Sequence, residues 1–155
     1  MGIRLLRSLT KYYKLVDKAA EDPAIVVPSE LDFVPGPGDE LESMIWVLTY
    51  AIMLHHHASL QGFAKTLYKR DVVDKFFGSL SYSGLKIFRD ALVLGGTNDL
   101  ADERDDWFPD VVQRKWFRRA MALVAGQTMS FFNCSINPIT FDGFDALCDE
   151  FITDE

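Results

Sequence analysis

Residues Met44 to Leu54 form an uninterrupted run without a single charge, and it follows directly on Pro35-Gly36-Pro37-Gly38 and Asp39-Glu40-Leu41-Glu42. The four-residue Pro/Gly stretch forbids regular structure, because proline fixes φ and removes an amide donor. Asp39 then supplies a carboxylate for the free amides of a first helical turn. Glu42, three residues on, can reach back in the manner of a capping box. The run itself is too short for the roughly 20 residues a membrane-spanning helix needs. Its apolar side chains fall at every azimuth rather than along one stripe, and a helix of that kind is covered on nearly every side. The spacing therefore predicts a buried central helix over about 39–57, with Asp39, Glu42 and Trp46 as its structural residues.

Around this helix the pattern is helical throughout. Ile3 to Ala19 places Leu5, Leu9, Tyr12, Tyr13 and Val16 on one face and Arg4, Arg7, Lys11, Lys14 and Lys18 on the others, an amphipathic helix over residues 1–19. Four prolines between Glu21 and Gly38 make 20–38 a connector. Further helices are expected over Leu60 to Tyr68, Val72 to Phe77, Leu85 to Leu94, Val111 to Phe132 and Phe141 to Ile152, and no strand-like alternation of useful length occurs. Trp107-Phe108-Pro109-Asp110 reads as an aromatic anchor that sets up the helix after it, with proline near its first position. At 155 residues, with 48% apolar and 13% aromatic content, the expectation is one all-α domain with one core.

A formal net charge of −7 argues against general binding to nucleic acid or to an anionic membrane, since both require a basic field. The chain's first residues, MGIRLLRSLTKYYKL, hold no apolar block of signal-peptide length, and Leu6 stands where a myristoylation signal wants Ser or Thr. Cys134 and Cys148 are read as reduced thiols, and an intracellular location, cytoplasmic or nuclear, is expected.

No complete catalytic constellation is visible. His55, His56 and His57 project about 100° apart on a helix, so they cannot converge on a metal ion as an i, i+4 pair would; they suit a helix C-terminus. No glycine-rich phosphate loop stands between a strand and a helix, and the acidic pairs near residue 103 read as solvated surface. No cofactor and no metal are expected. One charged cluster stands out: Arg114, Lys115, Arg118 and Arg119 form two adjacent i, i+4 rows and are candidates for contact with an acidic partner or with the chain's own acidic segments.

The segment DELESMIWVLTYAIM resembles the central helix of the C-terminal lobe in protein kinases, and most closely the form found in casein-kinase-like and fungal-type kinases. The resemblance runs from Asp39 to Glu155; beyond DELES it rests on the order and texture of the later helices. It implies that 39–155 is a kinase-lobe-like helical core and that Asp39 has the architectural role of the family's aspartate at the start of that helix, which holds the backbone of the catalytic loop. The glycine-rich loop, strand lysine, His-Arg-Asp loop and Asp-Phe-Gly magnesium site find no counterpart, so no catalytic residue carries over. The resulting expectation is a non-catalytic, kinase-lobe-like domain that acts by binding protein or by self-association, alone or within a larger kinase-like protein. The alternative is a small helical enzyme unrelated to kinases, using dispersed groups such as His55 to His57, Asp142 or Cys148.

Overall fold

In the computed structural model every element among the described residues, 2–78, 81–96, 107–128 and 137–152, is helical. Helix α1 spans Ile3–Glu21 and α2 spans Pro37–Ser59. A short α3, Gly62–Tyr68, continues through one π-helical turn, Lys69–Val73, into α4, Asp74–Phe77. Helices α5 (Tyr82–Gly96), α6 (Val111–Thr128) and α7 (Phe141–Ile152) complete the fold. The helix expected to begin at Val72 is thus part of a continuous run from Gly62, and residues 129–132 of the helix expected to reach Phe132 lie outside the described residues, as do Cys134 and the acidic stretch 101–106.

Helix α2 starts two residues earlier than its sequence suggests. Gly36 is the N-cap, Pro37 occupies the first turn where its missing amide costs nothing, and Asp39 becomes the third helical residue, accepting the Gly36 N–H at 2.8 Å. The capping acid is therefore Asp39, not Glu42, which points into the core instead.

The core joins α2 to α6. Leu41, Ile45, Trp46 and Met53 share one buried cluster with Trp116, Phe117, Ala120, Met121 and Val124, together with Val72, Val73 and Phe76 and with Phe144 and Leu147 of α7. On α6 these residues recur as a single helical stripe, which is why a segment with four cations can still supply core. The start of α6 is fixed by its own turn. Asp110 accepts the Val112 amide at 2.7 Å, Phe108 stacks on Phe117 with ring centres 4.6 Å apart, and Trp107 meets Phe76 edge-on at 5.1 Å. Pro109 therefore precedes the cap rather than opening the helix.

Helix α1 packs along α5, held by Arg7 to Asp90 at 3.5 Å and by Tyr13 stacked on Tyr82 at 5.4 Å. Only Ile3 and Leu6 are buried; Leu5, Leu9 and Tyr12 are half-buried, and Tyr13 and Val16 are exposed. The amphipathic face is thus used in its first turns and opens to solvent further along.

Burial around α2 is one-sided, which corrects the expectation of a helix covered on nearly every side. Leu41, Glu42, Ile45, Trp46, Thr49 and Met53 are buried, whereas Glu40, Met44, Val47, Tyr50, Ala51, Leu54 and His55 are exposed.

Candidate functional site

Glu42 is the polar centre of the core. Its side chain is fully buried, and its carboxylate accepts three hydrogen bonds: from the Ile3 backbone N–H at 2.6 Å, from the Trp46 indole N–H at 2.9 Å and from the Gln127 amide at 3.0 Å. Each donor comes with its own local reason. Ile3 opens α1, where amides have no intrahelical acceptor and the helix dipole favours an anion. Trp46 lies one turn along α2. Gln127 is in the last turn of α6 and passes the chain of bonds on, its carbonyl oxygen accepting the Ile139 N–H at 3.0 Å ahead of α7. Three helices thus meet at one carboxylate, and Gln127 ties a fourth part of the fold to it.

Space at this centre is tight. A Cβ at Gly38 would overlap the Gln127 side-chain oxygen and lie 3.3 Å from the Ile139 nitrogen, and one at Gly2 would lie 3.0 Å from a Glu42 oxygen. Burial raises the Glu42 pKa; its three hydrogen bonds pull the other way, and nearby Asp39 adds to the rise. The cation coupled to it is Arg89 of α5, itself buried, with its guanidinium 4.6 Å over the Trp46 ring and 5.6 Å over Phe77. Burial lowers the Arg89 pKa to about 10, with Glu42 acting in the opposite sense.

Asp39 forms a second, shallower polar site. Besides the Gly36 amide it binds Arg4 of α1, whose Nη1 lies 3.0 and 2.9 Å from the two carboxylate oxygens. Asp39, Gly2, Leu5, Phe33 and Pro35 line an open cleft of about 250 Å³ beside it.

The groups of the alternative enzyme reading are divided between α2 and α7. His56 lies edge-on against Tyr68 at 4.8 Å in the last turn of α2, Asp142 is exposed in the first turn of α7, and Cys148 is half-buried near that helix's end. Burial, with Asp145 and Asp149 nearby, raises the Cys148 thiol pKa and so disfavours the nucleophilic thiolate. Among the described residues no group of three or more His, Cys, Asp or Glu side chains is placed to hold a metal ion. No helix among them is long and apolar enough to cross a membrane.

Of the basic rows on α6, Arg114 turns back to its own chain and donates to the Phe108 and Pro109 carbonyls at 3.1 and 3.2 Å. Arg118 is half-buried, and Lys115 and Arg119 lie on the exposed face, where Arg119 borders an open groove of about 320 Å³ floored by Leu123 and Leu147. The four cations therefore do not act as one patch.

The outer side of α2 exposes four large apolar side chains: Met44 is 50% exposed, Val47 64%, Tyr50 38% and Leu54 39%. Comparison of the chain with family models, with curated proteins and with solved structures finds no match.

Proposed function

We propose that this chain is a non-catalytic helical domain that acts by binding protein, and that the outer side of α2 is its docking face. The observation that carries the reading is the two-sided use of one apolar helix: its inner side builds the core while four large apolar side chains on its outer side meet solvent. A contiguous exposed apolar patch is a feature of interaction sites rather than of inert surface. Glu42 and Asp39 fix α2 at its N-terminal end to α1, α6 and the segment before α7, so the face is presented on a rigid support.

The resemblance to the central helix of fungal-type kinase-like proteins belongs to the same proposal, whether the domain acts alone or within a longer protein. Support for it comes from Asp39, a buried aspartate at the start of the helix that holds a backbone amide, here that of Gly36.

The test is binding of a hydrophobic fluorescent dye at low micromolar protein, comparing the unaltered chain with Val47→Glu and with Val111→Glu, an exposed change on α6. Dye fluorescence is expected with the unaltered chain and with Val111→Glu, and a marked loss with Val47→Glu. A chain that binds no dye, or a Val47→Glu variant that binds it equally, refutes the reading.

A further inference from the structure

The exposed side chains of α2 are not scattered. Glu40, Met44, Val47, Ala51, Leu54 and Ala58 are spaced alternately four and three residues apart, all exposed, on the side of the helix opposite Ile45, Thr49 and Met53. That is the spacing of a coiled-coil seam, in which knobs from a second helix fit between residues of the first. From 40 to 58 the stripe is about 27 Å long at 1.5 Å per residue.

We infer that the occupant of this face is α2 of a second copy of the chain, packed antiparallel. The inference rests on the docking reading given above and names its partner. Three features of the stripe are self-complementary in that orientation. With the two-fold axis level with position 49, Met44 packs against the partner's Leu54 and Val47 against the partner's Ala51, so each layer joins one residue from each kind of seam position. The Val47 layer pairs a larger with a smaller side chain, which lets the two helices approach closely at the centre. The only carboxylate on the stripe, Glu40, stands at one end, and the exposed imidazole of His55 stands near the other. In that register Glu40 lies level with the partner's Ala58, about 4.5 Å along the axis from the partner's His55, within reach of an imidazole N–H, and the antiparallel arrangement sets each helix dipole against its opposite. In a parallel pair the two Glu40 carboxylates would face each other.

The flanking positions Ser43, Leu48 and Tyr50 carry no charge, and the ionisable groups Glu40 and His55 stand toward opposite ends, so a uniformly basic or uniformly acidic foreign helix would be matched at one end of the face at most. A stripe of this length on one helix falls at the low end of interface sizes, so the pair is expected to be weak, with a dissociation constant in the tens to hundreds of micromolar. Since each copy carries −7, added salt should tighten it by screening the repulsion, whereas a foreign partner held by charge would be loosened.

Sedimentation equilibrium from micromolar to near-millimolar chain tests the association. Disulfide trapping in a background with Cys134→Ser and Cys148→Ser tests the register. A monomer–dimer equilibrium is expected that strengthens with salt and weakens at least tenfold in Val47→Glu, with the helical circular dichroism unchanged. Met44→Cys alone and Leu54→Cys alone should give little covalent dimer, and their equimolar mixture should give much. A chain that stays monomeric throughout, a dimer indifferent to Val47→Glu, or ready trapping by Met44→Cys alone overturns the inference. A monomer whose dye binding is lost in Val47→Glu refutes the second copy while leaving the docking face intact; absence of that dye response refutes the docking face itself.

Discussion

Replacing Glu42 by Gln keeps the shape of the side chain and removes its charge, and the hydrogen-bond directions around it then cannot all be met. The carbonyl oxygen of the new side chain can take over the Ile3 and Trp46 donors, which share one Glu42 oxygen. The new amide nitrogen then faces the Gln127 nitrogen, donor against donor. Turning the Gln127 amide over moves the conflict to the Ile139 N–H, whose acceptor is the Gln127 oxygen. One buried donor stays unpaired in either arrangement, at a cost of about 1–3 kcal/mol. Relief from burying a charge offsets a part, and we expect a net loss of about 2 kcal/mol. For a chain of this size that corresponds to a fall in Tm of roughly 4–8 °C.

Gln127→Glu alone places two carboxylates in contact and should be worse, by about 3–5 kcal/mol. Combining the two changes reverses the direction of the central bond: the carboxylate introduced at position 127 accepts from both the new amide at position 42 and the Ile139 N–H, and every donor has a partner again. Thermal and urea unfolding of the four chains gives the coupling energy, expected to be favourable by at least about 1 kcal/mol. A double variant whose loss equals the sum of the single losses within about 0.5 kcal/mol refutes the directional network.

Gly38→Ala should destabilise by about 1–3 kcal/mol, because the new methyl overlaps a Gln127 side chain pinned at both ends; urea midpoints at constant slope check it, and an unchanged midpoint contradicts the packing.

Most of the helices were legible because their signals are local. Prolines and glycines before Asp39, the periodic face of 3–19 and the Trp107-to-Asp110 turn each act within a few residues, and each marks an element of the structure to within about a turn. Glu42 was misread for the same reason. An acid near a helix start matches a capping box locally, whereas its actual partners Ile3 and Gln127 are distant in sequence. Its position relative to Trp46, Thr49 and Met53, at i+4, i+7 and i+11, puts it on the buried stripe and was the available sign. The exposed side of α2 was illegible on different grounds: when both sides of a helix are apolar, hydropathy carries no mark of which one meets solvent. The cationic rows of α6 looked like one patch because spacing does not reveal that Arg114 turns back to cap carbonyls of its own approach.

The three donors to Glu42 become available at different moments of folding. Trp46 arrives with the helix itself, but Ile3 lies 39 residues upstream and Gln127 lies 85 downstream. Before those segments dock, the carboxylate must keep water around it, and the stripe it shares with Ile45 and Trp46 cannot close into a dry cluster. If α6 settled one turn out of place, it would seal an acid away from its donors, at a cost of several kcal/mol. The buried acid is therefore expected to keep collapse around α2 reversible until the two distant segments have arrived in the right alignment.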